Sequence, residues 1–346
     1  MLADLFPQAP IFTLLYDPAK FGARLKGHPI ETSFLQKLPK FLRQRPRYLL
    51  PLYPTAIESF DFSEFDLVIS SSSAFALGLI PPLKTRHLCY CHSPARFLWD
   101  YAHRFLQENQ ITGLKKFLAS SLTKNLRIWN YLAAQRVEHF LANSQVVQAR
   151  IRKYFRQPAT VIYPPVEMSD LTVTPQHKNY FLIVSRLTSY KKIDLALAVF
   201  NKLRRRLVIV GAGREKEKLQ KLAGPTIEFR GEVSRATLVT LLQNCRGLIF
   251  PGEDDFGITP VEAMACGKPV LALGRGGALE TVVHGKTGIF FPEPTAASLE
   301  NGLAELFRLE EKFQPTQIRK HAEKFQRKIF EQKIKKAVAA IFSAQH

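Results

Sequence analysis

The sequence has few cysteines and no long apolar run. Four cysteines in 346 residues are too few for the disulfide framework of a small secreted domain, and they agree with a reducing compartment. No apolar stretch reaches the roughly 18 residues that a membrane-spanning helix needs. The first residues also lack the basic start, apolar middle and small-residue cleavage site of a signal peptide. We therefore expect a cytoplasmic protein.

Acidic residues are also scarce. The chain has 29 Asp and Glu against 49 Lys and Arg, a net charge of +20. This excess indicates an anionic partner, and nucleic acid, an acidic lipid surface and a phosphorylated substrate are the alternatives. The sequence has neither a recognition-helix pattern nor an RNA-binding aromatic motif, so we expect no specific nucleic-acid partner.

Much of the positive charge lies in one early segment, residues 20–47, which we call the basic segment. It has one acidic residue, Glu31, and its basic residues alternate with Phe and Leu side chains. One interpretation is a segment that lies on an anionic membrane surface, peripheral to the inner face of the membrane. The other, which we favour, is a solvated pair of helices with apolar faces turned inward. The basic residues are Lys20, Arg24, Lys26, Lys37, Lys40, Arg43, Arg45 and Arg47.

The length and the 46% hydrophobic content predict two domains with cores of their own. Strand-like and helix-like stretches alternate in both halves, which is typical of α/β domains with parallel sheets. We predict a first domain over 1–165, a linker over 166–178 and a second domain over 179–318. A basic amphipathic helical segment, 319–346, is expected to pack back toward the first domain.

In the first half we predict strands at 11–16, 65–69, 86–90 and 161–163, and helices at 122–140 and 145–155. The serines of 70–73 are read as caps of a helical stretch at 74–78. His92 follows strand 86–90 at a carboxyl end of the sheet, so it is either a structural histidine or a titratable ring that meets substrate. Cys89 and Cys91 are read as buried strand residues, and no metal site is predicted.

In the second half, strands at 180–185, 207–210, 227–231 and 270–273 alternate with helices at 191–200, 234–242 and 261–266. Arg186 closes one strand and Lys191 opens the next helix, an arrangement that suits a diphosphate or is simply surface charge. The turn 211–213 has too few glycines for a dinucleotide fingerprint. In the loop 274–277, Gly276 and Gly277 either let backbone approach a phosphate or sugar, or form a plain turn.

The stretch 250–270 reads as a strand, an acidic loop and a short helix. Asp254 and Glu262 lie eight positions apart, with the backbone of Gly257, Ile258 and Thr259 between them. Acceptor side chains and N–H donors are thus expected at one cleft, where ligands of open α/β sheets bind. The alternative is that Asp254 complements a helix N-terminus and Glu262 is solvated.

Several phrases together resemble the retaining nucleotide-sugar glycosyltransferases of family four, most closely the bacterial mannosyltransferase-like branch. They are SSSAFALG, HLCYCHSP, VSRLTSYKKIDLAL and FPGEDDFGITPVEAMACGKPV. The resemblance covers nearly the whole chain. It implies the GT-B architecture, two facing Rossmann-like domains with an interdomain cleft. The strand and Gly–Gly loop with which family members begin do not precede Met1–Phe6, so the first domain is expected to be incomplete at its N-terminus.

The resemblance also implies site roles. Glu262 matches the acid that holds the donor ribose, and Asp254 matches the position that contacts the transferred sugar, where family members carry Glu. The Arg186 and Lys191 positions match cations that grip the diphosphate, and His92 matches a histidine near the donor sugar. The loop residues Gly257, Ile258 and Thr259 match donor-contacting amides, and we add Arg230, Gly276 and Gly277 to the donor-binding set.

The resemblance implies a glycosyltransferase that moves a sugar, with retention, to a glycan or lipid-linked acceptor. We favour mannose from a GDP-linked rather than a UDP-linked donor and expect no cofactor and no metal, because two cations and loop amides balance the charge of the leaving diphosphate. The leaving phosphate is implied to take the acceptor's proton. The alternative is a catalytically impaired or non-catalytic nucleotide-sugar-binding protein.

Overall fold

A computed structural model of the chain describes residues 1–108, 111–174 and 176–343. These residues form two compact units. The first contains Met1–Asn143, Val147–Ile162 and the chain from Lys335 onward, and the second contains Ser144–Val146 and Tyr163–Ile334. Pro175 of the predicted linker and the last three residues of the predicted C-terminal segment lie outside the described residues.

The described strands of the first unit form two parallel sheets. A small sheet pairs β1 (Ile11–Thr13) with β2 (Ile30–Thr32). The larger sheet has the order β3, β4, β5, β6, and its strands are β3 (Leu67–Ser72), β4 (Arg86–Cys91), β5 (His139–Ala142) and β6 (Ala159–Val161). All neighbours are parallel, as the alternation of strands and helices predicts.

The α-helices in this part of the chain are mostly short. They are α1 (Leu2–Leu5), α2 (Pro18–Phe21), α3 (Lys40–Arg43), α4 (Tyr53–Glu58), α5 (Ala102–Glu108), α6 (Gly113–Ala134) and α7 (Gln145–Arg150), which continues as one π-helical turn to Phe155. The core between α6 and the larger sheet contains buried Leu77, Ala133, Phe140 and Phe155.

The structure corrects three predictions in the first unit. The basic segment does not form a helix pair, because Pro29, Pro39 and Pro46 interrupt it and leave only short helical turns around β2. The long helix spans 113–134 rather than 122–140, and Phe140 lies in β5, since short apolar runs do not separate helix from strand by periodicity. The serines extend β3, although Ser72 Oγ does accept the N–H of Leu77 at 3.2 Å.

The second unit has six parallel strands in its described residues. In chain order they are β7 (Phe181–Val184), β8 (Leu207–Val210), β9 (Ile227–Gly231), β10 (Gly247–Phe250), β11 (Val270–Leu273) and β12 (Gly288–Phe291). The order across the sheet is β12, β11, β10, β7, β8, β9. The predicted bounds of β8, β9 and β11 are confirmed. The strands β8 and β11 are continuous apolar runs, whereas β9 alternates apolar and charged residues. The strand β12 was not predicted.

Helices cover this sheet. They are α8 (Ile193–Lys202), α9 (Lys216–Leu222), α10 (Arg235–Asn244), α11 (Ile258–Ala265), α12 (Ala278–Thr281), α13 (Ala296–Arg308), α14 (Pro315–Ala322) and α15 (Arg327–Ser343), whose residues from Lys335 belong to the first unit. The Ser234 cap of α10 is confirmed, since its hydroxyl accepts the N–H of Thr237 at 3.2 Å.

The stretch predicted as a linker, 166–178, lies within the second unit where it is described. Val166, Met168 and Leu171 are buried in the core of that unit. The N–H of Val166 donates to the carbonyl of Phe325 at 2.8 Å. Apolar side chains among the polar ones thus hold this stretch against the domain, because their burial is favourable.

Candidate functional site

The strand order of the second unit reverses at β7. From β7 the chain proceeds outward through β8 and β9 on one side, and β10, β11 and β12 fill the other side. Loops that leave the carboxyl ends of β7 and β10 therefore diverge at one crevice, the usual ligand position of such sheets. Arg186 and Lys191 follow β7, and Asp254 follows β10.

Lys191 and Asp254 form an ion pair in this crevice. The Lys191 Nζ donates to Asp254 Oδ2, and the two side chains are only 11% and 25% exposed. The loops approach closely because Gly252 has no side chain: a Cβ there would lie 2.7 Å from the Cα of Lys191. The Lys191 Nζ also lies 5.8 Å from the ring centre of Phe250. The cation predicted for a diphosphate and the acid predicted for a sugar thus contact each other.

Glu262 lies in a second charged group of the same unit. It projects from α11, and its carboxylate accepts a hydrogen bond from Arg235 Nη1. Arg235 lies at the start of α10 and also donates to both carboxylate oxygens of Asp170, at 2.8 and 2.9 Å. Arg235 therefore bridges two acids and fixes the position of Glu262.

Burial dominates the titration of Glu262. Desolvation raises the pKa of the Glu262 carboxyl group, while the hydrogen bond and charge of Arg235 oppose that rise. The same network raises the pKa of Arg235, chiefly through its hydrogen bond to Asp170. Arg235 thus favours the ionised form of Glu262, the form that accepts hydrogen bonds from hydroxyl groups.

The glycines of the neighbouring loops position backbone. Gly257 precedes α11 with φ of +89°, a conformation that glycine adopts without strain. A Cβ at Gly277 would lie 2.3 Å from the Cα of Phe256, and its N–H donates to the carbonyl of Asp254 at 2.8 Å. A Cβ at Gly276 would lie 2.5 Å from that same carbonyl oxygen. Gly276 and Gly277 therefore let the loop after β11 pack against the acidic loop after β10.

The helix α11 begins directly behind this acidic loop. Ile258 and Thr259 are its first residues, so their N–H groups have no carbonyl of the preceding turn to bind. Ile258 is 48% exposed. The start of α11 therefore presents the amides and the partial positive charge that favour an anion.

Arg186 and Arg230 are more exposed. Arg186 Nη2 donates to the hydroxyl of Tyr190 at 3.1 Å, which holds the guanidinium on the loop that contains Lys191. Arg230 lies on the edge strand β9 and pairs with Glu228 at 2.6 Å, with its side chain 51% exposed. The contacts of the described residues join Lys191, Asp254 and the glycine loops, and they do not link Arg230 to this group.

His92 belongs to the first unit, directly after β4. Its Nε2 lies 2.9 Å from Ser71 Oγ, and its ring meets the ring of Tyr90 edge-on at 5.2 Å. Burial lowers the pKa of the His92 imidazole, so the neutral ring is favoured at pH 7. Its place at the carboxyl end of the larger sheet is the one that the sequence predicts.

Arg235, Asp170 and Tyr190 were not predicted as site residues. Arg235 follows the cap Ser234 beyond the carboxyl end of β9. That position could have identified it, since ligands of such sheets bind at the carboxyl ends of the strands. Asp170 stands in the stretch read as a linker, so its contact with Arg235 was not foreseeable from local pattern.

Across residues 1–108, 111–174 and 176–343, no group of three or more His, Cys, Asp or Glu side chains is placed to hold a metal ion. Within the same ranges, no helix has the length and apolar character that crossing a membrane requires. All four cysteines are buried, and none of them forms a disulfide bond.

Two family profiles match the chain in succession. Residues 11–170 match the profile described as Glycosyltransferase Family 4, and residues 168–325 match Glycosyl transferases group 1. Together they span both units.

Individual relatives are distant. The chain is 25% identical over 298 residues to the Alpha-1,3/1,6-mannosyltransferase ALG2 of Dictyostelium discoideum, covering 71% of this chain and 68% of that protein. It is 28% identical over 152 residues to the O-antigen chain mannosyltransferase RfbU of Salmonella typhimurium, covering 40% of this chain and 43% of that protein. Across the ALG2 proteins of Dictyostelium discoideum, Mus musculus and Homo sapiens, the matched part is 62% to 70% of the relative's length.

Solved structures share the fold. The sucrose-phosphate synthase of Thermosynechococcus elongatus has a TM-score of 0.72 at 16% identity, covering 92% of this chain and 84% of that chain. Anabaena HepE in complex with UDP and glucose has a TM-score of 0.66 at 17% identity, covering 98% and 94%. Two Rossmann-like units with parallel sheets and two successive glycosyltransferase profiles lead to one conclusion: the chain belongs to the glycosyltransferases of family four and has the GT-B fold.

Proposed function

We propose that the protein transfers mannose from GDP-mannose, with retention of configuration, to a glycan or lipid-linked acceptor. The observation that carries this proposal is the charged crevice at the strand reversal of the second unit, where Lys191, Asp254 and the start of α11 meet. The choice of mannose is supported by the similarity to the mannosyltransferases ALG2 and RfbU. UDP-bound HepE makes UDP-linked donors the natural comparison.

The diphosphate of the donor is the group that the cations suit. Lys191 is a nearly buried point charge, Arg186 is a planar donor held by Tyr190, and Ile258 and Thr259 carry the first amides of α11. As the sugar–phosphate bond breaks, negative charge develops on the diphosphate, and fixed donors stabilise it without reorganising. This arrangement requires no metal ion and no cofactor.

The ribose is the group that Glu262 suits. An ionised carboxylate accepts two hydroxyl hydrogen bonds, and the Arg235 contact keeps Glu262 ionised and oriented. Arg235 is therefore proposed as a positioning residue for donor binding. The resemblance gives Asp254 the sugar contact and His92 a place near the donor sugar, and both roles stay predictions.

A non-catalytic nucleotide-sugar-binding protein is the second candidate. One specific observation favours it: Asp254 forms an ion pair with Lys191. The acid proposed to contact the sugar and the cation proposed to contact the diphosphate therefore bind each other in this structure. Donor binding without transfer or hydrolysis would support this alternative over the enzyme.

The proposed setting is the cytosolic face of an anionic membrane. The net charge of +20 and the interleaved Phe and Leu of the basic segment support it. Phe41 and Tyr48 of that region are 63% and 69% exposed. The protein would then bind a lipid-linked acceptor at the same membrane surface to which it is attached.

Thermal denaturation with a panel of nucleotides tests the donor site. GDP at a hundredfold excess over its dissociation constant is expected to stabilise the fold by about 2.7 kcal/mol. Arg186→Ala should reduce the shift, and incubation with GDP-mannose and an acceptor should release GDP. If neither GDP nor UDP moves the melting temperature and Arg186→Ala changes nothing, the donor site is refuted. A shift with UDP alone refutes the GDP preference.

A further inference from the structure

Helix α6 carries apolar side chains on two different faces. One face packs into the first unit, where Leu126 is 4% exposed and Ala133 is fully buried. The other face is exposed along the whole helix, and we call it the α6 stripe. Its members are Leu114, Phe117, Leu118, Ile128 and Leu132, which are 74%, 71%, 59%, 51% and 54% exposed.

The spacing places the members of the stripe on one side of the helix, in an apolar group near each end. At about 3.6 residues per turn, the five side chains fall within an arc of about 100°. Ser121 and Asn125 lie on the same arc between them. From Leu114 to Leu132 the stripe is about 27 Å long, at 1.5 Å per residue. Single exposed apolar residues are ordinary, whereas an aligned row of large ones marks an interaction surface.

The charge around the stripe has one sign. Residues 109–137 contain five Lys and Arg and no Asp or Glu. Lys115, Lys116 and Lys124 are exposed. Lys124 lies beside Phe117 on one flank of the stripe, Lys115 lies about 60° beyond Leu118 on the other flank, and Lys116 lies on the side away from the stripe. An apolar row edged by lysines is complementary to anionic lipid, whose headgroups meet the cations while the acyl region receives Leu and Phe.

Helix α6 and the residues that follow the basic segment pack against one buried cluster. Leu50 and Tyr53 pack against the same buried cluster of the first unit as Leu122 of α6. Next to them in the chain, Tyr48 and Leu52 are 69% and 41% exposed. Exposed apolar side chains therefore occur both on α6 and on the residues directly after the basic segment, two stretches that pack against the same cluster.

We propose that the α6 stripe lies in the surface of an anionic membrane, with the helix axis parallel to the bilayer plane and the lysines among the headgroups. The proposal rests on the proposed function in one respect: a lipid-linked acceptor is presented at such a surface. It assigns the contact to α6, which the sequence pattern identified only as a core helix. A protein partner, including a second copy of this chain, is the outcome that would replace it.

Sedimentation with lipid vesicles tests the assignment. The full chain is expected to bind vesicles of phosphatidylcholine and phosphatidylglycerol, and to bind pure phosphatidylcholine much more weakly. The double substitution Phe117→Glu and Leu118→Glu should reduce the partition coefficient about tenfold or more, because it removes apolar contact and repels anionic headgroups. Both side chains are exposed, so the fold should be retained. Leu222→Glu, at a 50% exposed position ending α9, is the matched control and should bind as the wild type does.

Three results would overturn the proposal. They are no binding to anionic vesicles, unchanged binding by the double variant, or a wild-type dimer in light scattering that the double variant abolishes. The GDP-induced rise in melting temperature is measured on the same samples and should persist in both variants. A wild type that binds no anionic vesicles but keeps its GDP response refutes only the membrane assignment, and a wild type whose melting temperature responds to neither GDP nor UDP refutes the proposed function instead.

Discussion

Replacing Asp254 by Asn is expected to tighten GDP binding while it abolishes sugar transfer. The carboxylate and a bound phosphate would contact the same Lys191 ammonium, so their oxygens would lie within about 6 Å of each other. Two unit charges at that distance repel by about 3 kcal/mol at an effective dielectric constant of about 20. Solvent and salt screen part of this, since Asp254 is 25% exposed. We expect a net gain of about 1.4 kcal/mol, which is about tenfold in affinity.

Calorimetric titration with GDP measures this gain, and release of GDP from GDP-mannose measures turnover. Glu217→Gln is the matched control because it removes one negative charge at an exposed position in the first turn of α9. It should change neither quantity. Lys191→Ala should weaken GDP binding, since it removes the cation itself.

An Asp254→Asn variant that binds GDP as the wild type does, or more weakly, would contradict this prediction. Lys191 would then not be a diphosphate ligand, and its ion pair with Asp254 would be a structural link between the loops after β7 and β10. A variant that binds GDP more tightly and still transfers mannose would refute only the sugar contact of Asp254.

Two further predictions concern charges that the structure buries. Arg235→Ala removes the group that keeps Glu262 ionised, so the loss of GDP affinity on acidification should begin at higher pH than in the wild type. The GDP dissociation constant, measured between pH 5 and pH 8, reports this shift. Arg235→Lys should restore much of the wild-type pH dependence. A pH profile that is the same in Arg235→Ala and the wild type would contradict the positioning role. Burial lowers the pKa of His87 to about 4, so the folded chain binds a proton less readily than the unfolded chain, and stability is lost as pH falls from about 6.5 towards 4. Urea unfolding at pH 7 and pH 5 should show about 2 kcal/mol more loss in the wild type than in His87→Gln. The exposed control His103→Gln should lose as much as the wild type, and equal losses in all three would contradict the assignment.

Local pattern was sufficient where one physical signal dominated. The strands β8 and β11 are short apolar runs followed by glycine, and a parallel sheet buried on both faces requires such runs. The edge strand β9 instead alternates apolar and charged residues before Gly231. The Ser234 cap is equally local, because its hydroxyl and the amide that it satisfies are three residues apart.

Local sequence pattern failed where a stretch fits both a helix and a strand, and where a contact joins residues far apart in the chain. The apolar residues near Phe140 fit a helix and a strand equally well, and only pairing with β4 and β6 decides for β5. The stretch 166–178 reads as polar, yet three of its apolar side chains fill the core of the second unit. The basic segment forms short helical turns instead of two helices, since Pro29, Pro39 and Pro46 interrupt it.

For this protein the sequence by itself determined the fold class, the succession of strands and helices, and which strand ends carry charged residues. These follow from periodicity, turn chemistry and the direction of parallel strands. Only the tertiary structure decided which charges meet: Lys191 with Asp254 across 63 residues, and Glu262 with Arg235 and Asp170. It also separated the buried face of α6 from its exposed one. The reason is that pairing and burial depend on where loops far apart in the chain are brought together, and no local pattern encodes that distance.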